Sequence, residues 1–217
     1  MLTVGDDGSA VELDLVGGRI GCPDCGGQLG PWGRARVRRI RESLSGTGSV
    51  VAHRPRRARC RDCGATHVLL PPGLAARRAD GAAVIAAAIE AKVLSGHGHR
   101  VVARSLGRPG STVRGWLRAF ASSAQVIVEV FTAALARHAP DAAALWPAPA
   151  PAREGQALAV LGAWARVVAV RLGVVEVAWQ QAAMAACHGR LFCALWWAAG
   201  QHQPALTQVG TDASRSP

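Results

Sequence analysis

Two short stretches, Cys22-Pro23-Asp24-Cys25-Gly26 and Cys60-Arg61-Asp62-Cys63-Gly64, decide how the first third of this chain folds. In each stretch the Cys-x-x-Cys spacing directs two thiolates to one centre, and the glycine lets the backbone turn beneath the sulfurs. Two such turns supply the four thiolates that a tetrahedral zinc ion requires. We therefore predict one structural Zn²⁺ held by Cys22, Cys25, Cys60 and Cys63. A redox dithiol and a pair of disulfides are the alternatives for these cysteines.

The two cysteine pairs are unusually far apart. Thirty-four residues separate Cys25 from Cys60, against roughly 15–20 in the usual four-cysteine pattern. We interpret the excess as a long β-hairpin with strands over residues 34–41 and 50–60 and a turn at 45–48. Residues 66–70 form a third strand, and Pro71-Pro72-Gly73 ends the sheet. His67 on this strand is expected to face solvent, and a spare metal ligand is the alternative. The pattern predicts a three-stranded zinc ribbon over residues 19–73.

Charge is distributed unevenly along the chain, whose net charge is +11. Residues 19–80 carry thirteen arginines against four acids, and residues 81–120 carry six bases against one acid. Such a concentration of positive charge is typical of a protein that binds a polyanion. Residues 1–18 instead carry four acids and no base. Apolar and acidic residues alternate over 11–16, which predicts an acidic N-terminal strand or arm.

Neither a secretory signal nor a membrane span is expected. The first ten residues are acidic and polar and contain no apolar core of a signal peptide. The most apolar stretch, residues 158–199, is interrupted by charged and polar side chains before it reaches the length of a membrane span. Paired Cys-x-x-Cys motifs without a signal favour metal binding in a reducing compartment. We expect a cytoplasmic protein that does not bind a membrane.

From residue 80 onward the apolar residues follow a helical period. Asp80 is expected to cap a helix that contains Val84, Ile85 and Ile89. Residues 100–106 form a short helix and residues 107–110 form a turn. Ser111 is expected to cap a further helix over 112–121, and helical structure continues or resumes over 125–138.

Residues 100–118 resemble the helix-turn-helix of DNA-binding proteins. Arg114 and Arg118 lie four residues apart on the face of the second helix that points away from its apolar side chains. Ser111 and Thr112 open that helix, where side chains approach base edges and phosphates, and Arg108 in the turn is expected to contact a phosphate. A purely structural helical hairpin is the alternative.

The arginines of the predicted hairpin form a second candidate DNA surface. Antiparallel strands would gather them into one patch, whose like charges repel unless an anion such as the phosphate backbone is bound. The residues that we expect to contact DNA in this patch are Arg36, Arg38, Arg56, Arg57 and Arg59.

Beyond residue 138 the sequence predicts a linker and a helical C-terminal region. Residues 139–155 contain four prolines among alanines, typical of a stiff linker. Two helices are expected within 156–200, over 156–172 and from 174 to about 200, and a disordered tail over 201–217. The C-terminal helices are candidates for pairing with a second copy or with a recombination partner.

The order of these motifs resembles the N-terminal DNA-binding region of bacterial insertion-sequence transposases. More closely, residues 19–120 resemble an actinobacterial family of unknown function that combines a zinc ribbon with a helix-turn-helix. The resemblance implies binding to double-stranded DNA and supplies no enzymatic activity. It is carried by Cys22-Pro23-Asp24-Cys25-Gly26-Gly27, Pro31-Trp32-Gly33, Arg57-Ala58-Arg59-Cys60, Thr66-His67-Val68-Leu69-Leu70-Pro71 and Trp116-Leu117-Arg118.

We expect an α+β, mostly α protein that binds DNA and is not an enzyme. Transposase chemistry requires three carboxylates that converge on divalent metal ions. The few acids after residue 120 are scattered over predicted helices, linker and tail. The sequence thus predicts a sequence-specific DNA-binding protein of transposase-derived type, either an accessory factor in transposition or a transcriptional regulator. A zinc module that binds RNA or protein, and a truncated transposase remnant, are the alternatives.

Overall fold

A computed structural model describes residues 1–44 and 50–193 of the chain. These residues form an α+β fold, and about 47% of them are helical. The predicted fold class is confirmed at this level. In chain order, the elements are β1 (Leu2–Thr3), α1 (Gly8–Val16), β2 (Leu29–Arg34), β3 (Arg38–Arg41), β4 (Val50–His53), β5 (Arg56–Cys60), β6 (Thr66–Leu70), α2 (Ala82–Val93), α3 (His99–Ser105), α4 (Gly110–His138), a 3₁₀ turn (Ala143–Leu145), α5 (Arg153–Leu172) and α6 (Trp179–Ala186).

The N-terminal strands form a long hairpin and a small sheet. Strands β2 and β5 pair next to the cysteines, and β3 and β4 continue the same hairpin outward as a separate two-stranded ladder. Strand β6 adds antiparallel to β5, and β1 adds parallel to β6. The long hairpin predicted between Cys25 and Cys60 is therefore confirmed. The turn predicted at 45–48 lies outside the described residues.

Each arm of the hairpin is broken in the middle, although we predicted continuous strands. The first arm bulges between Pro31 and Arg34 and leaves residues 35–37 outside the ladder. The second arm breaks at residues 54–55, because Pro55 has no N–H to donate to the ladder. Its carbonyl instead accepts a hydrogen bond of 2.8 Å from the backbone N–H of Ala35.

The prediction of a strand over residues 11–16 is wrong, since this segment lies in helix α1. The carboxylate of Asp7 accepts hydrogen bonds from the backbone N–H groups of Ser9 and Ala10 and so caps the helix. Leu15 is completely buried, and Val11, one helical turn earlier, packs against the same cluster. Leu13 is 67% exposed. The alternating pattern therefore reflects one apolar helical stripe and an exposed leucine.

Helices α2 to α6 share one hydrophobic core, which also includes residues after α6. Helix α4 is continuous over 29 residues and spans both segments that we predicted to be helical after the turn. Phe131 of α4 meets Trp164 of α5 edge to face, with ring centroids 5.8 Å apart. Residues 139–155 thus connect two helices that pack together, although we predicted a linker between separate regions.

The C-terminal region is less helical than predicted. Helix α5 covers the first predicted helix, but α6 ends at Ala186 and accounts for a small part of the second. His188 and Gly189 both have positive φ angles, which stop the helix from continuing. The remainder of that helix, residues 194–200, and the predicted disordered tail, 201–217, lie outside the described residues.

Helices α4 and α5 are long and apolar enough, by length and composition alone, to cross a membrane. The most apolar windows of α4 and α5 are 39% and 56% buried within the fold. Core helices of water-soluble proteins satisfy the same two criteria, so the observation favours a membrane only weakly.

Candidate functional site

The fold brings the four predicted cysteines to one point. Cys22 and Cys25 precede β2, while Cys60 ends β5 and Cys63 lies in the turn before β6. The sulfur of Cys22 lies 3.8 Å from that of Cys63, and the sulfur of Cys25 lies 3.5 Å from that of Cys60. All four sulfurs lie within 4.8 Å of one another. Four ligands at the usual zinc–sulfur distance would lie about 3.8 Å apart, so the cluster is compatible with a structural metal ion.

Both cysteine pairs sit on the same kind of turn. The backbone N–H of Cys22 donates to the carbonyl of Gly27 at 2.6 Å, and that of Cys60 donates to the carbonyl of Ala65 at 2.8 Å. Gly26 and Gly64, directly after the two pairs, have φ angles of 77° and 74°, a conformation that favours glycine. The two turns therefore present their sulfurs towards a common centre.

The pKa values of Cys25 and Cys60 differ strongly because the two thiols have different hydrogen-bonding neighbours. A hydrogen bond from the backbone N–H of Cys63, together with one from Asp62, lowers the pKa of Cys60 to about 7. The backbone N–H of Gly27 also lowers the pKa of Cys25, but hydrogen bonds with the neighbouring thiols outweigh it and raise that pKa to about 12. A cation bound at the centre would favour the thiolate form of all four. The cysteines are free of disulfides.

His67 lies beside the cluster, and our expectation that it faces solvent is wrong. Its side chain is 4% exposed, and its Nε2 lies 3.5 Å from the sulfur of Cys22 and 3.6 Å from Oδ2 of Asp24. Burial lowers the pKa of His67 and so favours the neutral ring. His67 is therefore one of the groups that surround the cysteine centre, and it lies within metal-binding distance of Cys22 and Asp24. The sequence did not show that His67 faces inward, because it does not give the register of the sheet.

Three of the arginines predicted to contact DNA are occupied within the fold. We predicted that Arg108 contacts a phosphate. Instead, its side chain is 6% exposed and its Nε donates a hydrogen bond to Asp80 at 2.6 Å. Arg38 donates to the carbonyls of Ala75 and Arg78. Arg56 makes two hydrogen bonds to the carboxylate of Glu12, at 2.7 and 2.8 Å. These three guanidinium groups are bonded to other parts of the fold.

Asp80 also has a different role from the one that the sequence predicted. We expected it to cap α2, but the N-cap is Gly81 and the buried carboxylate of Asp80 accepts hydrogen bonds from both Arg41 and Arg108. The hydrogen bond to Asp80 raises the pKa of Arg41. Arg108 also donates to the carbonyl of Ser43 at 3.1 Å. Asp80 therefore joins the β3–β4 hairpin to the turn between α3 and α4.

Of the other predicted arginines of the hairpin, Arg36 and Arg59 are exposed and Arg57 is half-buried. Arg57 and Arg59 alternate with the buried residues Ala58 and Cys60 along β5, so they project from the outer face of the sheet. Arg36 is exposed in the segment between β2 and β3. Within the described part of the chain, Arg36 and Arg57 make no side-chain hydrogen bond or ion pair. Their charges are available to an external anion.

The first turns of α4 present an exposed polar face. Val113, Trp116 and Phe120 of this helix are buried in the core. Ser111, Arg114 and Arg118, spaced three and four residues apart, are exposed on the other side, and Thr112 is half-buried. Ser111 was expected to cap the helix. It lies instead inside the first turn, and Pro109 is the N-cap without a side-chain hydrogen bond.

Comparison with known protein families gives a match over the part of the chain from the cysteines to the start of α4. Residues 22–114 match the model of a family described as a domain of unknown function, DUF6431. The match covers less than half of the chain, includes all four cysteines, Asp80 and Arg108, and ends at Arg114. No curated protein and no solved structure matches this chain.

Proposed function

We propose that this protein binds double-stranded DNA through two neighbouring surfaces, a zinc ribbon and a helix-turn-helix. The zinc ribbon comprises the cysteine centre and the sheet formed by β2, β5 and β6. The helix-turn-helix comprises α3, the turn after it and the first turns of α4. The protein is a cytoplasmic, transposase-derived factor that assists transposition or regulates transcription. Its role is binding, without catalysis of its own.

Zinc is the metal that best suits the cysteine centre. Thiolates are soft ligands, and a tetrahedral set of four is typical of structural zinc. Such a site leaves no position open for substrate, so the metal acts in folding. The cluster of buried side chains beneath the cysteines is small, with Leu15, Leu29 and Leu69 as its fully buried large members. Metal binding would therefore contribute much of the stability of this sheet.

Helices α3 and α4 support the helix-turn-helix assignment by their packing. Val102 and Leu106 at the end of α3 are buried in the same core as Val113 and Trp116 of α4. Gly107 in the intervening turn has a φ angle of 60°, which favours glycine. With the apolar sides packed together, the start of α4 projects towards solvent. Its first backbone N–H groups and its arginines would meet phosphates and base edges there.

The observation that carries the proposal is the exposed face of Ser111, Arg114 and Arg118. These arginines make no ion pair or side-chain hydrogen bond among residues 1–44 and 50–193, and they lie on a helix whose other side is firmly packed. The buried Asp80 pairs fix the arginine-rich hairpin next to the turn that precedes this helix. A single duplex could thus meet both surfaces.

The acidic side chains of the described residues do not support two-metal transposase chemistry. In the described ranges, the possible metal-binding clusters are the four cysteines and the group of Cys22, Asp24 and His67. Neither cluster brings together the three carboxylates that two-metal transposase chemistry requires.

A DNA-binding assay with matched charge variants tests the proposal. Fluorescence anisotropy would measure the affinity for a labelled mixed-sequence duplex. We expect the double substitution Arg114→Ala and Arg118→Ala to weaken binding and to reduce the slope of log affinity against log salt by up to about 2. The control, Arg137→Ala with Arg153→Ala, removes the same charge from exposed positions at the end of α4 and the start of α5.

The comparison of the two double variants shows whether the start of α4 has a specific role in DNA binding. Equal weakening by both pairs would show a general charge effect and would contradict a specific role for the start of α4. Selection of bound sequences from a random duplex pool then tests base recognition. Enrichment of one motif by the wild type, lost in the Arg114 and Arg118 variant, is the expected result.

A further inference from the structure

A cleft on the outer face of the sheet lies directly over the cysteine centre. It has a volume of about 610 Å³ and is bordered by Trp32 of β2, by Arg59 and Arg61, and by the turn that contains Cys63 and Gly64. This volume lies within the range of about 300–1,000 Å³ that is typical of small-ligand sites. The proposed DNA contacts of the helix-turn-helix do not use this cleft.

Trp32 is the unusual side chain of the cleft, because it is large, aromatic and 48% exposed. The guanidinium carbon of Arg59 lies over its ring, 4.7 Å from the centroid. The Nε of Arg59 also donates to the carbonyl of Gly64 at 3.2 Å, which fixes the guanidinium above the ring. A stacked arginine and tryptophan therefore form a flat, positively charged platform.

The remaining walls of the cleft add polar groups. Arg61 passes close to Gly30, where an added Cβ would lie 3.3 Å from its Nε. Asp62 rests against Gly27, and a side chain at Gly27 would overlap its carboxylate. The arginines can bind a phosphate, and the carboxylate of Asp62 can accept hydrogen bonds from the N–H groups of a base edge.

We infer that this cleft holds an unpaired nucleotide of a DNA strand, with its base stacked on the Trp32 and Arg59 platform and its phosphate near Arg61. In a duplex both faces of each internal base are covered by neighbours, so a half-exposed aromatic ring can stack only on a base that is unpaired or at an end. The assignment to DNA rests on the proposed function. It adds a preference for frayed, gapped or single-stranded DNA at the zinc ribbon.

The test compares single-stranded and duplex DNA with the full chain. The probes are a fluorescein-labelled oligothymidine of about eight nucleotides and a labelled blunt duplex of mixed sequence. We expect Trp32→Ala to weaken oligothymidine binding by about 5- to 150-fold, because each base stacked on an aromatic ring contributes that much. Trp32→Phe should restore most of the affinity, and duplex affinity should change little in either variant.

A matched control separates stacking from a general effect of removing a tryptophan. Trp146 is 36% exposed and lies outside the cleft, so Trp146→Ala should leave oligothymidine binding unchanged. Circular dichroism and metal content of Trp32→Ala establish that the variant is folded. If it fails to fold, Trp32→Phe and Arg61→Ala provide the comparison, and Arg61→Ala should weaken single-strand binding.

The possible outcomes distinguish this inference from the proposed function. Wild-type binding to the duplex with no binding to oligothymidine, or equal binding of oligothymidine by Trp32→Ala and wild type, would overturn the inference and leave the proposed function intact. Oligothymidine binding that depends on Trp32, with no duplex binding, would contradict the proposed function and support the cleft. Clearly tighter binding of oligouridine RNA would overturn the assignment to DNA.

Discussion

The Nε of Arg108 donates a hydrogen bond of 2.6 Å to Oδ1 of Asp80, and the two side chains are 6% and 3% exposed. Asp80 also binds Arg41, whose side chain is 42% exposed. One buried carboxylate thus connects β3, the segment before α2 and the turn before α4. The pairing explains why an arginine in the middle of a candidate DNA-binding motif is turned inward.

Removal of the Asp80 carboxylate should be strongly destabilising. We expect Asp80→Ala to lower the free energy of unfolding by about 3–5 kcal/mol, because the buried guanidinium of Arg108 would lose its counter-charge. Urea unfolding followed by circular dichroism would measure the change. Asp80→Asn, which keeps the shape but not the charge, should also be destabilising.

The control for Asp80 is an ion pair at the surface. Arg19 and Asp14 are bonded at 2.7 Å, but their side chains are 60% and 48% exposed. Asp14→Ala should therefore cost less than about 1 kcal/mol. A loss of stability in Asp80→Ala no greater than in Asp14→Ala would refute the connecting role of Asp80.

The cysteine centre should hold one zinc ion per chain. We expect Cys22→Ser or Cys60→Ser to lose that metal and to destabilise the sheet, because three thiolates cannot complete the tetrahedral site. Elemental analysis of purified protein measures the metal content, and chelator titration measures its affinity. Cys193→Ser is the matched control, since Cys193 is a free cysteine outside the cluster. Full metal retention in Cys22→Ser would contradict the four-thiolate site.

Stability should depend on Glu12 in a defined pH range. The hydrogen bond from Arg56 lowers the pKa of Glu12 below its usual value of 4.5. The pairing therefore stabilises the fold above that value, and the contribution disappears as the pH falls through the lowered pKa. Glu12→Gln should be slightly less stable than wild type at neutral pH, by less than about 1 kcal/mol because the carboxylate is partly solvated.

The measurement for Glu12 is a series of urea unfolding curves from neutral to strongly acidic pH. The difference between Glu12→Gln and wild type should vanish at the acidic end. Glu176→Gln, at an exposed position between α5 and α6, is the control and should differ little at any pH. If the difference in unfolding free energy between Glu12→Gln and wild type increases as the pH falls, the result contradicts this pairing.

Helices α4 and α5 should unfold together, although a proline-rich segment connects them. Trp164 is 1% exposed and packs on Phe131, so we expect Trp164→Ala to destabilise the protein by about 3–5 kcal/mol. The exposed Trp146 serves as control, and its replacement by alanine should have a small effect. Two independent unfolding transitions, with Trp164→Ala affecting only one of them, would contradict the shared core.

Local patterns in the sequence predicted the features that depend on close neighbours. The four clustered cysteines follow from Cys-x-x-Cys-Gly turns, which need no information from the remainder of the chain. The helical period after residue 80 correctly placed α2 to α5, because apolar side chains at that spacing require a common buried face. The long hairpin followed from the strand-like residues between the two cysteine pairs.

Features that depend on distant partners could not be predicted in the same way. Arg108 lies 28 residues from Asp80 in sequence, so no local pattern indicated that it would turn inward. The alternation over 11–16 fits a strand as well as a helix with one exposed leucine, and the cap at Asp7 decides between them. The sequence alone suggested no function for Trp32, because the cleft beside it forms only when β2 and β5 pair.

The salt dependence of binding to duplex DNA tests the central claim most directly, because a metal-held basic sheet and the start of α4 are proposed to share one duplex. With several phosphates neutralised by arginine, we expect the affinity of the wild type to fall at least about a hundredfold between about 50 and 200 mM salt. Removal of Arg36 and Arg57 should reduce this slope, and so should removal of Arg114 and Arg118. No measurable binding to duplex DNA at the lower salt concentration, by zinc-loaded and folded protein, would contradict the proposal.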